Sequence, residues 1–207
     1  MLAAPSVHNL APTYLMYQDV MSKEMAQTLM DLVDEKGKET IWDDNPNCIE
    51  LQISNPFSED AYWDEASKDP RVVSLLPNLM DLGQTFLREA NKHFNNNVCH
   101  TITGNHGFWV MRYDAPGGMF GMHCDADLGP TGVHPPIVAT AAILLNDDYE
   151  GGETIVLDGK KHGSYLERKK RSAVSWDGWA QHQVCPVTKG SRYVCIVHMV
   201  GSLRGTI

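Results

Sequence analysis

Two histidines and one aspartate stand where they could hold a single metal ion. His123 and Asp125 lie two residues apart in the segment GMHCDAD, and His182 lies in the later segment QHQVCPV. On a β-strand, side chains two residues apart leave from the same face, so His123 and Asp125 could reach one ion. Two imidazoles and one carboxylate form the facial triad that binds non-haem Fe(II) and leaves coordination positions open. The pattern predicts an iron site with room for O2 and a chelating organic acid.

An arginine further along the chain fits the second end of such an acid. Arg192 follows His182 in the segment HQVCPVTKGSRYV, on a strand reached through a Pro-Val step and a Lys-Gly turn. A guanidinium binds a carboxylate through strong, charge-assisted hydrogen bonds. We therefore expect Arg192 to bind the far carboxylate of a dicarboxylic acid whose other end chelates the iron.

These residues belong to a longer series of short motifs. In chain order the series is Tyr113, His123-Cys124-Asp125, Gly151-Gly152-Glu153-Thr154, His182 with Pro186-Val187, Gly190 and Arg192. The series resembles the iron- and 2-oxoglutarate-dependent dioxygenases of the prolyl 4-hydroxylase type. The resemblance covers about residues 107–199 and, more loosely, the helical start at 14–36.

The resemblance implies a fold, a cofactor set and roles for single residues. The implied fold is a double-stranded β-helix, or jelly roll, flanked by helices. His123, Asp125 and His182 would bind Fe(II), and Arg192 would bind the distal carboxylate of 2-oxoglutarate. Tyr113 and Thr140 would line the cosubstrate pocket, with O2 as second cosubstrate and ascorbate as a reductant. Leu144 departs from the pattern, because many relatives have Tyr there.

The implied reaction is hydroxylation of an unactivated C–H bond with formation of succinate and CO2. A prolyl residue in a protein or peptide is the leading substrate, and Trp63 and Trp179 are candidate substrate contacts because an aromatic ring can cover a proline ring. One alternative is a hydroxylase of a free amino acid or other small metabolite, since the short chain has no separate peptide-binding domain. Another is a metal-dependent binding or sensing protein without turnover.

The elements that must position these residues change in character along the chain. Helices are predicted from Ser22 to Lys36 and from about Pro77 to Phe94, where apolar residues recur at helical spacing. After Asn97, short runs rich in β-branched and aromatic residues predict strands at 107–113, 120–125, 137–146, 153–157, 172–176, 182–187 and 191–199. The sequence therefore predicts an α+β fold in which N-terminal helices buttress a C-terminal jelly roll.

Length and composition limit the remaining possibilities. The 207 residues favour a single domain, which we divide into a loose arm at 1–13, a helical buttress with substrate-covering loops at 14–100, and the dioxygenase core at 101–207. The net charge of −9 disfavours nucleic acid as a partner. The chain has no apolar stretch of membrane-spanning length, and its cysteines form no C-x-x-C pair. We expect a cytoplasmic protein without membrane contact, and His198 and the other remaining histidines as ordinary surface or core residues.

Overall fold

Two helices and a set of strands make up the described part of the chain. The computed structural model describes residues 14–40, 46–53, 66–94, 97–102, 108–128, 137–157, 163–165 and 169–203. The α-helices are α1 (Lys23–Lys36) and α2 (Pro70–His93), and 3-10 turns span Ala66–Lys68 and Asp125–Leu128. The strands are β1 (Tyr14–Tyr17), β2 (Lys38–Glu39), β3 (Cys48–Ile53), β4 (Asn97–Ile102), β5 (Phe108–Asp114), β6 (Phe120–His123), β7 (Ile137–Leu144), β8 (Glu150–Gly151), β9 (Thr154–Leu157), β10 (Gly163–Tyr165), β11 (Ala173–Asp177), β12 (His182–Val184), β13 (Val187–Lys189) and β14 (Ser191–Leu203).

Helix α1 begins and ends where its sequence predicts. The Ser22 side chain accepts a hydrogen bond from the Met25 backbone N–H, which satisfies one of the unpaired donors of the first turn. The helix ends at Lys36, and the Gly37 N–H donates to the Val33 carbonyl. The prediction of this helix is confirmed.

Helix α2 is longer than its prediction, which placed the start near Pro77. The helix begins at Pro70, and Pro77 lies inside it. Asp69 caps the helix by accepting from the Arg71 N–H, and Pro70 occupies the first turn, where a missing N–H costs nothing. The predicted boundary was wrong because Pro77 resembles a first-turn proline in sequence, whereas Asp69 and Pro70 are the residues that define the start.

Two antiparallel sheets face each other and enclose the candidate site. The larger has the strand order β1-β11-β7-β14-β5-β3-β2, with β4 also paired to β14, and the smaller has the order β10-β9-β12-β6. This jelly-roll core agrees with the predicted fold class. The described N-terminal half supplies strands as well as helices, because β1, β2 and β3 all join the larger sheet.

The two faces of strand β14 contact different parts of the protein, the apolar core on one side and the cavity on the other. Its residues Cys195, Val197 and Met199 are fully buried in the apolar core that contains both helices. The alternating residues, among them Arg192 and Ile196, line the cavity between the two sheets. This period of two is what an antiparallel strand covered on both faces requires.

A polar network fixes α1 to the sheet. Arg112 on β5 contacts Asp34 of α1 at 2.8 Å and Asp114 of its own strand at 2.9 Å. The Tyr193 hydroxyl on β14 donates to the same Asp34 carboxylate at 3.0 Å. The helix is therefore held against the outer face of the sheet, opposite the cavity. Neither described helix has an apolar stretch long enough for a membrane crossing.

Candidate active site

Two paired strands of the smaller sheet bring the predicted metal ligands together. His123 is the last residue of β6 and His182 the first of β12, and the two are opposite each other in the antiparallel register. Strand β6 ends before Asp125, which starts the 3-10 turn Asp125–Leu128. The prediction that His123 and Asp125 share one strand is therefore wrong, although the turn still directs Asp125 towards both histidines.

The ligand atoms of the three side chains converge on one point. The Nε2 atoms of His123 and His182 each lie 3.4 Å from Asp125 Oδ1. All three ligand atoms lie within 4.8 Å of one another. Among the described residues, these three side chains form a group that could hold a metal ion. Both Asp125 and His182 are buried. Electron-rich atoms gathered this closely repel one another unless a cation lies between them, so the donor set fits a metal ion.

Backbone carbonyls fix the orientation of both imidazoles. His123 Nδ1 lies 2.7 Å from the Gly121 carbonyl oxygen, and His182 Nδ1 lies 2.9 Å from that of Ala180. A carbonyl only accepts hydrogen bonds, so each Nδ1 carries a proton, and each Nε2 is the atom turned towards Asp125 Oδ1. This arrangement is typical of histidines that bind a metal.

The second oxygen of Asp125 is held from the larger sheet. Asp125 Oδ2 accepts hydrogen bonds from the Thr140 hydroxyl at 2.5 Å and from the Trp176 indole at 3.0 Å. Burial raises the pKa of Asp125, but the facing His182 and His123 side chains outweigh it and hold the pKa well below its usual range. Asp125 is therefore an ionised carboxylate with one oxygen anchored and the other directed at the histidines.

Arg192 lies buried at the other end of the same cavity. Its Nη2 atom donates to the Thr154 hydroxyl at 3.0 Å, and its guanidinium carbon lies 5.2 Å from the centre of the Tyr113 ring. Its Nε and Nη1 atoms are buried without a hydrogen-bond partner among the described residues. Buried donors without partners are costly, and an anion in the cavity would supply the acceptors. The arginine end therefore fits a carboxylate.

Tyr113 supports this end rather than donating into it. The side chain is almost fully buried, and its hydroxyl donates to Met111 Sδ at 3.4 Å. Burial raises the pKa of Tyr113 well above its usual range, so the phenol stays neutral. The ring face thus lies beside the arginine as a neutral support.

Leu144 faces a small space behind the arginine. A cavity of about 30 Å³ lies there, and Leu144, Tyr149 and Thr154 are among its lining residues. Leu144 has no hydroxyl to offer, and the hydroxyl that contacts Arg192 comes instead from Thr154 on β9. Thr154 lies in the Gly-Gly-Glu-Thr motif, so the motif contributes a contact to the site as well as a turn.

A cavity of about 450 Å³ joins the two ends. Its volume lies in the range that holds one or two small organic molecules. Thr140 lines it as predicted, although the hydrogen bond of its hydroxyl goes to Asp125. Trp109, Trp176 and His198 also line it, and none of the three was predicted there. His198 was expected to be an ordinary residue; the signal that could have placed it is its even spacing from Arg192 on one strand.

One of the two predicted substrate tryptophans, Trp179, is not among the residues that line the cavity. Trp179 is 48% exposed in the turn before His182, where its backbone carbonyl lies 3.4 Å from Cys124 Sγ. Trp63 lies outside the described residues. A substrate role for either residue stays a prediction.

Part of the chain is similar to a known protein family and to curated hydroxylases. Residues 108–199 match the family model described as the 2OG-Fe(II) oxygenase superfamily. The chain is 35% identical over 98 residues to a PKHD-type hydroxylase of Azoarcus sp. (strain BH72), covering 45% of this chain and 42% of the relative. It is 30% identical over 105 residues to a PKHD-type hydroxylase of Polaromonas sp. (strain JS666 / ATCC BAA-500), covering 46% and 44%. The chain thus spans less than half the length of these relatives.

Solved structures share the fold over nearly the whole chain. A Pseudomonas putida prolyl-4-hydroxylase superposes with a TM-score of 0.65 at 12% identity, covering 92% of this chain and 93% of that one. The viral collagen prolyl hydroxylase of Paramecium Bursaria Chlorella virus-1 gives 0.63 at 16% identity, covering 92% and 97%. A Trichoplax adhaerens prolyl hydroxylase in complex with a hypoxia inducible factor peptide fragment gives 0.68 at 13%, covering 91% and 84%. At these identities the likeness concerns the fold.

Proposed function

We propose that this chain, whose residues 108–199 belong to the 2OG-Fe(II) oxygenase superfamily, is an iron- and 2-oxoglutarate-dependent hydroxylase. One observation carries the proposal. A single cavity has three converging metal-ligand atoms at one end and a buried arginine with two unpartnered donors at the other. A metal-chelating dicarboxylic acid would satisfy both ends together.

The metal end is assigned to His123, Asp125 and His182. When bound there, iron supplies, with 2-oxoglutarate and O2, the oxidative decarboxylation to succinate and CO2 that drives insertion of one oxygen atom into a C–H bond. The carbonyls of Gly121 and Ala180 keep each imidazole turned so that Nε2 faces the metal position. Thr140 and Trp176 hold Asp125 as an anion.

The other end is assigned to the distal carboxylate of 2-oxoglutarate. Arg192 binds it, Thr154 fixes the guanidinium by accepting from Nη2, and the Tyr113 ring supports the cation from the side. The apolar side chains between the ends, such as Met111 and Ala142, exclude water and strengthen the charged contacts. The reaction needs no protein side chain as a general base, because these residues only bind and orient the cosubstrate.

A prolyl residue in a protein or peptide is the proposed substrate. The PKHD-type relatives and the prolyl hydroxylases of like fold support it. A free amino acid or other small metabolite is the second candidate, favoured by the position of Trp179 away from the cavity lining. A non-catalytic metal-dependent binding or sensing role is the third. Ascorbate as reductant and a cytoplasmic location complete the proposal.

Product analysis separates these candidates. The protein is incubated with Fe(II), 2-oxoglutarate, O2 and ascorbate, together with a panel of proline-containing peptides and free amino acids. We expect succinate, and a gain in mass of one oxygen atom in a peptide. A gain confined to free amino acids would support the second candidate. Absence of O2-dependent succinate would contradict the hydroxylase and leave the binding role.

A further inference from the structure

A side cavity of about 30 Å³, with Leu144 and Tyr149 among its lining residues, adjoins the large cavity at the arginine end. Ala142, Thr154 and Arg192 line both spaces. About 10–15 Å³ of such space already holds a group the size of a water molecule. The side cavity is therefore an extension of the large one, with room for about one methylene group more than the large cavity alone can hold.

Most of the residues that line the side cavity are apolar. Leu144 on β7 and Val194 on β14 are opposite each other in the strand register, and both line it together with Val174 on β11. Ser172 also lines it, but its hydroxyl already donates to the Lys169 carbonyl. Walls of this kind favour a methylene group over a charged or strongly polar group.

The two ends of the large cavity are both held in place, so their separation is fixed. A side-chain carbon added at Gly152 would lie 3.0 Å from Arg192 Cδ, which shows that the arginine stem packs directly against this glycine. Thr154 holds Nη2 of the same arginine, and the metal ligand Asp125 is anchored through Oδ2. A dicarboxylic acid longer than this separation must therefore bend, and the side cavity is the space that can hold the bend.

We propose that the site also accepts 2-oxoadipate, which is one methylene longer than 2-oxoglutarate, as cosubstrate. This inference rests on the proposed function and deepens it by widening the class of cosubstrate. Both ends of the longer acid bind where those of 2-oxoglutarate bind, and the extra methylene lies against Leu144 and Val194. In the proposed reaction this acid gives glutarate and CO2, with one atom of O2 in the new carboxylate and the other in the hydroxylated C–H bond. Leu144 is thus the residue that sets the length of the cosubstrate.

The test uses binding and needs no turnover. The full chain, loaded with Mn(II) in place of Fe(II), is titrated calorimetrically with 2-oxoglutarate, with 2-oxoadipate and with 2-oxopimelate, which is longer by a further methylene. Burial of one methylene gains about 4-fold in affinity and offsets the cost of immobilising one more bond, so we expect 2-oxoadipate to bind within about 10-fold of 2-oxoglutarate. The third acid exceeds the side cavity and should bind at least about 10-fold more weakly than 2-oxoadipate. Binding of 2-oxoadipate more than about 10-fold weaker than that of 2-oxoglutarate would overturn the proposal.

Variants of Leu144 change the size of the side cavity in both directions. Leu144→Phe fills it and should lower the ratio of 2-oxoadipate affinity to 2-oxoglutarate affinity at least about 10-fold. Leu144→Ala enlarges it and should raise the affinity for 2-oxopimelate relative to that for 2-oxoglutarate. Val73→Phe adds a ring at a position of α2 that is 56% exposed, and as the matched control it should leave both ratios unchanged. An unaltered ratio in Leu144→Phe, or in Leu144→Ala if the first variant does not fold, would overturn the proposal.

The failures of the two proposals are distinguishable. A protein that binds both acids with the expected ratio but forms neither succinate nor glutarate would refute the hydroxylase and keep the role of the side cavity. A protein that binds 2-oxoglutarate and forms succinate but excludes 2-oxoadipate would keep the hydroxylase and refute the longer cosubstrate. Failure of the metal-loaded protein to bind either acid would refute both.

Discussion

The metal end and the arginine end of the cavity differ in how many of their polar atoms have protein partners. At the metal end, both imidazole Nδ1 atoms face carbonyls and Asp125 Oδ2 accepts two hydrogen bonds. At the other end, Arg192 has a partner for Nη2 only, and its Nε and Nη1 are without one among the described residues. The protein orients the metal ligands in advance but leaves the arginine to be completed by a ligand. We therefore expect substitutions of the metal ligands to abolish metal binding. Substitution of Arg192 should instead weaken ligand binding while it stabilises the ligand-free protein.

The largest effect is expected from removing a metal ligand. His182→Ala or His123→Ala leaves two ligands and should lower succinate formation below detection, because the metal loses one of three protein donors. Succinate assay and calorimetric metal titration measure the two losses. His93→Ala, a histidine on α2 paired with Glu89 at 3.3 Å, is the control and should retain both. A His182→Ala protein with normal metal affinity would contradict the assignment.

The next effect separates binding from stability at the arginine end. Arg192→Met removes the carboxylate partner and should raise the KM for 2-oxoglutarate about 100-fold. The same change replaces a buried cation with unpartnered donors by an apolar chain, and should stabilise the ligand-free protein by about 1 kcal/mol. That gain corresponds to a rise of about 2–4 °C in Tm. A fall in both affinity and Tm would show that the arginine is already satisfied in the folded protein.

Two threonines, one at each end of the cavity, allow the two ends to be changed separately. Thr140→Val removes a hydrogen bond to Asp125 and should weaken metal binding about 10-fold, with 2-oxoglutarate affinity in the metal-loaded protein little changed. Thr154→Val removes the acceptor of Arg192 Nη2 and should weaken 2-oxoglutarate binding by a few-fold, with metal affinity unchanged. Calorimetry with each ligand measures the four values. The same pattern in both variants would mean that the two ends do not act separately.

The smallest effect is expected outside both ends. Trp179→Ala changes an exposed side chain in the turn before His182. For a peptide substrate we expect a modest rise in substrate KM, with 2-oxoglutarate turnover in the absence of substrate unaltered. For a free amino acid, neither value should change. Loss of both activities together would rule out a substrate role for Trp179.

The sequence predicted the parts of the site whose signal is local. The His-x-Asp motif, His182 and Arg192 are recognisable by residue type and spacing, and α1 by its cap and apolar periodicity. The start of α2 was missed because a proline at a first turn and a proline inside a helix look alike in sequence. The short strands β2 and β8 carry too few residues for a periodic pattern.

The contacts that complete the site depend on register between distant strands. Trp176 reaches Asp125 because β11 pairs with β7 in a register that puts Trp176 opposite Thr140. His198 reaches the metal end because β14 pairs with β7 so that it, too, is opposite Thr140. Nothing near Trp176 in the chain encodes its pairing, and for His198 the even spacing from Arg192 places it on the cavity face of β14 but does not show that it lies opposite Thr140.

The central claim is that one cavity holds a metal at one end and a dicarboxylic acid at the other. Calorimetric titration of 2-oxoglutarate into the protein with and without a bound divalent metal tests it most directly. We predict that the metal tightens 2-oxoglutarate binding, that 2-oxoglutarate tightens metal binding by the same factor, and that Arg192→Met weakens 2-oxoglutarate binding both with and without the metal. Binding of 2-oxoglutarate with equal affinity in the presence and absence of metal would contradict the account.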